Sequence, residues 1–235
     1  MRAFLLLAAV ALSPMALFGA VTLGVHKIAK ELTGAEVYSL AANGYSSTAG
    51  NLIVVWTVTY SGAQPVGLVR DSAGDTFTPL AQNKGTWYGQ WFYARNVKGD
   101  PFNVVTIQPA NTGRATLIYP AMIVMEFSGA DKDSPIPTEL TGQQGMLSAW
   151  DSKAFDAPAR SVALLGIVTA NGGAYEAGAG FKIEDSYLTP NSSKFSVAVL
   201  DRFFTGAQTG VTASVTWKGM LQATGAGIVI KPGGN

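Results

Sequence analysis

The only histidine in the chain, His26, stands ahead of the main body of apolar strands, so a Ser-His-Asp arrangement has no base to build on. A histidine metal centre is equally short of ligands. With no cysteine, thiol nucleophiles, thiolate metal sites and disulfides are all excluded. Carboxylates remain. Glu126 lies among Val124, Met125 and Phe127, and a carboxylate inside an apolar strand needs a partner. Arg202 or Arg95 can supply one, each ending the equivalent strand of its half, and the expectation is a structural Glu126–Arg202 ion pair. The rival is a glycosidase acid, Glu126 acting with Asp131 or with Glu184, Asp185 or Asp201. No E-x-D-x-E spacing lines three acids on one strand face, and no catalytic residue is assigned. Asp71 with Asp75, or Asp131 with Asp133, could hold calcium through turn carbonyls, although two Asp in a Gly-containing turn are ordinary turn formers. No cofactor is implied.

The best lead for binding is the run from Trp87 to Arg95. Alternation places Trp87, Trp91, Tyr93 and Arg95 on one face and Tyr88, Gln90, Phe92 and Ala94 on the other. Matching it to Phe195–Val199, with Phe195, Val197 and Val199 inward, makes the Tyr88/Phe92 face core and turns the tryptophans outward. Their spacing, about 13 Å, would let two rings stack on a glycan chain. A slip of one residue would exchange the two faces.

These residues must be positioned by strands. Asn51–Gly62 is a short, nearly unbroken apolar run rich in β-branched and aromatic residues, with turn formers at both ends, and reads as a buried strand. Its echo, Ser161–Gly172, lies 110 residues later, and five segments repeat in the same order at about that offset. The chain therefore reads as two versions of one all-β unit, halves 51–128 and 161–232 within a single sandwich domain 35–235. About ten strands in two antiparallel sheets, jelly-roll or Ig-like, are expected. Thr76–Ala81 reads as the return arm of a hairpin with Val66–Arg70. Pro120 is expected at a bulge or strand start, and Gly129–Pro158 reads as a crossover with one edge strand. Val21–Leu32 is ambiguous. Val21, Leu23 and Val25 alternate like a strand able to be donated to a neighbour, whereas Ile28, Ala29 and Leu32 have helical spacing.

A net charge of +1 and the absence of a basic block argue against nucleic-acid binding. Met1-Arg2 followed by an apolar run to Ala20 describes a secretory signal peptide over 1–20, leaving 21–34 as a linker or donor segment. The alternative is an uncleaved anchor reaching about residue 25. Either way the body is expected outside the cytoplasm.

The segments GNLIVVWTVTYSG, VRDSAGDTFTPL, WFYARNVKG, VMEFSGADKDSPI, EAGAGFKIEDS and AGIVIKP resemble a widespread bacterial and phage β-sandwich family. Its pattern runs GNLLV, DNxGNTW, YYAxNV, EYSGxD, AGSGF, EDR and a final A-x-F-K, matched here from about Gly50 to Pro232. Asp75 stands where Asn is usual, and Leu200 stands where an acid usually precedes Asp201-Arg202. The resemblance implies a secreted or surface-displayed sandwich of adhesins or tail-like structures. The expected activity is therefore non-catalytic: extracellular structure or adhesion through self-association by N-terminal strand addition, or binding of an extracellular polysaccharide.

Overall fold

The computed structural model describes residues 19–31, 33–111, 115–170, 174–187 and 195–234, and those residues form 22 strands and no helix. The export segment expected over 1–20 lies, up to residue 18, outside them. The first half uses β1 (Thr22–Lys30), β2 (Leu52–Tyr60), β3 (Val66–Asp71), β4 (Thr78–Pro79), β5 (Trp87–Ala94), β6 (Val105–Pro109) and β7 (Ala121–Ser128). Its inner sheet runs β1-β7-β2-β5-β4, antiparallel throughout. Over one face lies an outer layer in which β6 pairs with β3 and with Leu40–Ala41. Pro120 directly precedes β7, where its missing N–H costs no ladder bond. The expected hairpin is corrected. Thr78–Pro79 pairs with β5, not β3, because the Asp71–Asp75 turn carries the chain from the outer layer to the inner sheet.

The second half uses β8 (Thr138–Leu140), β9 (Gly145–Asp151), β10 (Val162–Ala170), β11 (Lys182–Tyr187), β12 (Phe195–Phe203) and β13 (Ser214–Ile230). Its inner sheet runs β8-β13-β10-β12-β11. Two segments expected as separate strands are one, the 17-residue β13. Its start pairs with β9 and with Tyr175–Ala177, and its end pairs with β8 and β10. The change occurs around Gly219, whose φ of +84° suits a residue without a Cβ.

The two inner sheets share one order, with β1, β7, β2, β5 and β4 matched in turn by β8, β13, β10, β12 and β11. They pack face to face, running in opposite senses. β5 lies over β13 and β10, β7 over β12, and β1 over β11. At the opposite edge Glu139 on β8 accepts a hydrogen bond from the Ala81 N–H, 2.9 Å, just beyond β4. The arrangement approximates a two-fold relation between the halves. At its centre two equivalent positions differ sharply in size. A Cβ at Gly166 would lie 2.3 Å from Cδ2 of Trp56, so the indole fills the notch that its counterpart leaves.

Three apolar layers result: one between each inner sheet and its outer strands, and one shared between the halves. The expectation of two sheets and ten strands is therefore corrected to four layers and more, shorter strands. Strands buried on both faces read as continuous apolar runs. Every residue of β2 from Leu52 to Thr59 is buried, so each half needs an outer cover as well as the other half.

Candidate functional site

The tryptophans are not a platform. Trp87 and Trp91 are 3% and 1% exposed and belong to the shared layer. Trp91 packs on Trp56 with ring centroids 5.2 Å apart and donates its indole N–H to the Ala226 carbonyl, 2.9 Å. Tyr93 is half-buried against the same layer, and exposed Arg95 donates to the Asp133 carbonyl. The register explains the correction. Tyr60 pairs with Trp87 as Ala170 pairs with Phe195, so Trp87 is the counterpart of Phe195 and faces inward with it. Phe92 and Ala94, on the other face, are buried under the outer strands.

Nor does Glu126 meet Arg202. Glu126 is 3% exposed, and its Oε1 accepts from the Thr48 N–H at 2.8 Å and from Asn51 Nδ2 at 2.6 Å. Arg202 donates to Gln208 Oε1 at 2.9 Å and stacks on Phe204. Glu126 shares the face of Met122 and Val124 toward the first outer layer, while Arg202 alternates with Ala198 and Leu200 toward the second. Both inner sheets lie between them. Glu126 ties the loop before β2 to β7, so Glu126→Leu, which removes a charged acceptor from the Thr48 N–H and the half-buried Asn51 amide, should lower unfolding stability by about 1–3 kcal/mol in urea titration.

Asp71 and Asp75 form a turn locked from within. The Asp75 N–H donates to Asp71 Oδ1 at 2.8 Å, the Lys98 N–H to Asp75 Oδ1 at 3.0 Å, and Asn103 to Asp71 Oδ2 at 3.0 Å. The Lys98 ammonium occupies the turn carbonyls, 2.5 Å from that of Gly74. Burial, and then the neighbouring Asp71 charge, hold the Asp75 carboxyl above its usual range despite the Lys98 N–H. In the other acidic turn Asp131 accepts from the Ser134 and Asp133 N–H groups and pairs with Lys231 at 3.2 Å. The first of these bonds chiefly holds its carboxyl below the usual range. Among the described residues no three His, Asp or Glu side chains come together as a metal site.

The donor candidates behave differently. Leu23 and Val25 belong to β1, which completes its own inner sheet by meeting β7 over eight residue pairs, and Val21 stands just before it with its N–H on the Arg160 carbonyl. The helical alternative is thereby excluded. A bulge at Gly24 breaks the alternation, so Val21 and Leu23 enter the shared layer whereas Val25 packs against the first outer layer. At the start Thr22 Oγ1 and Ser128 Oγ lie 2.6 Å apart.

β1 is also held from across the shared layer, by β11. His26, far from being a linker residue, places Nδ1 3.0 Å from Asp185 Oδ2 and Nε2 3.7 Å from Glu184 Oε1. Lys30 lies over the Tyr187 ring, 4.1 Å from its centroid. Behind them Lys182 binds Glu184 Oε2 and stands 3.7 Å from Asp201 Oδ1. Asp201 continues the inward row of Phe195, Val197 and Val199, has no exposed surface, and finds no hydrogen-bond partner for either oxygen among the described residues. Burial pushes its carboxyl up to about 6, opposed by the Lys182 charge and assisted by that of Glu184. The hydrogen bond to Glu184 in turn raises the Lys182 ammonium above its usual value.

The site thus joins an edge strand, a charged clasp and a sealed carboxyl, and it brings together Glu184, Asp185 and Asp201, acids that were in view only as companions for Glu126. Asp201 was detectable from sequence as the charge ending an apolar run. His26 and Lys182 gave no such signal, because only the stacking of β1 on β11 brings them together. Comparison of the chain with protein-family models, with curated proteins and with solved structures finds no match.

Proposed function

We propose that this is a non-catalytic exported protein of extracellular structure or adhesion, which assembles by passing its N-terminal strand to a neighbouring copy. The observation that carries this reading is the position of β1. Among the described residues it is an edge strand, paired only with β7, and its apolar side chains fill two layers. Cleavage of a leader near residue 20 would make it the first strand of the mature protein. Its counterpart β8 has the same place in the other half but is tethered by chain at both ends.

A strand supplied by a second copy makes every contact that the chain's own β1 makes, so exchange is close to neutral at equilibrium and limited by the opening step. Repeated head to tail, the exchange gives a filament; closed on itself, it gives a dimer. The glycan reading has lost its exposed tryptophan pair, and the hydrolase reading its accessible Glu126.

The test uses the Thr22/Ser128 contact. A Thr22→Cys/Ser128→Cys chain, otherwise free of cysteine, can be closed by oxidation while β1 is at home on β7. Oxidised protein is expected to stay monomeric at concentrations where reduced protein forms higher species by light scattering and negative-stain microscopy. Oligomers that form equally well with the staple closed, or that persist after deletion of Val21–Leu32, would remove strand exchange.

A further inference from the structure

We propose that Lys182 and Asp201 condense to an intramolecular amide, riveting β11 to β12, with Glu184 carrying the proton. The two are direct cross-strand partners, and Lys182 Nζ stands 3.7 Å from the Asp201 carboxyl. The same Nζ is hydrogen-bonded to Glu184 Oε2, so amine, acceptor carboxyl and proton carrier form one contiguous group. Asp201 is sealed from solvent, and among the described residues no donor lies within hydrogen-bond distance of its oxygens. This proposal stands apart from strand exchange, because none of its three residues belongs to β1.

The atoms balance without any further reactant. Glu184 takes a proton from the Lys182 ammonium, and the free amine attacks Cγ of the protonated Asp201 carboxyl. A C–N bond forms, a C–O bond breaks, and the departing hydroxyl leaves as water with a proton returned by Glu184. The second amine proton passes to Glu184 and then to solvent past the exposed Lys182 stem. Burial favours the neutral carboxyl that the attack requires. Fixed cross-strand placement supplies the high effective concentration that makes an unactivated carboxyl reactive. The product also removes an ionisable group from an apolar layer, which favours the amide over the ion pair.

Intact-mass spectrometry of the full chain under denaturing conditions tests this directly. The expected mass is that of the sequence less one water, with a branched tryptic peptide containing residues 182 and 201. Lys182→Arg and Asp201→Ala should each restore the full mass. Glu184→Gln should form the link about 100-fold more slowly, the scale of a lost general acid–base group. A wild-type chain that keeps its full mass after prolonged incubation near neutral pH would leave an ion pair only and overturn the proposal. So would a water loss that maps to any other residue. The wild-type reading is decisive even where a variant fails to fold.

Discussion

Gly166→Ala is expected to destabilise the protein by about 2–3 kcal/mol, and larger side chains at this position to prevent the halves from closing. The added Cβ would sit 2.3 Å from Cδ2 of Trp56, a ring that cannot retreat. On its far side Trp56 is held by Trp91 at 5.2 Å, and its outer edge lies on Gly89, where a Cβ would meet Cη2 at 2.6 Å. Relief must come from the indole itself. Trp56→Leu should therefore be costly alone yet should remove most of the cost of Gly166→Ala. Denaturant titration of the four proteins gives the coupling, and additive losses would show that the notch is not what seats the ring. Two copies of one unit meeting across a two-fold relation cannot both present tryptophan at the axis, and the Trp/Gly pair resolves that conflict.

Trp91→Ala should cost about 3–5 kcal/mol, the range for emptying a large aromatic site in a packed core. The variant also leaves the Ala226 carbonyl without its donor, a further loss of about 1 kcal/mol or more. Trp91→Phe keeps most of the volume but not the N–H, so the difference between the variants separates packing from hydrogen bonding. The expected signature is a lowered unfolding midpoint. A Trp91→Ala protein of unchanged stability would mean that the ring lies outside the shared layer.

Much of the fold could be read from residue order. Asn51–Gly62 and Ser161–Gly172 announce equivalent buried strands, and β2 and β10 occupy equivalent positions at the middle of the two inner sheets. The number of layers was also encoded, though less visibly. A strand with one wet face alternates, whereas Leu52–Thr59, Ala121–Phe127 and Val162–Thr169 do not, and unbroken runs of this kind require cover on both sides. The facing of the aromatic strand was harder. In β5 both faces carry rings, so hydrophobicity cannot choose between registers, and a shift of one residue reverses every side chain. The pairing of Tyr60 with Trp87 settles it.

Residue types and their order alone determine that this chain is all-β, that its two halves repeat, and that it has no thiol. Those conclusions rest on composition, on short unbroken apolar runs, and on their recurrence about 110 residues later, all of which can be read along the chain. Only the tertiary structure decides which half covers which, that the tryptophans face inward, and that Glu126 answers to Thr48 and Asn51 instead of an arginine. It alone brings His26 from one end of the chain to Glu184 and Asp185, and fixes Lys182 beside a carboxyl sealed from water. Such meetings depend on how two sheets are laid across one another, a long-range choice made by the packing of whole faces, which spacing along a single strand cannot express.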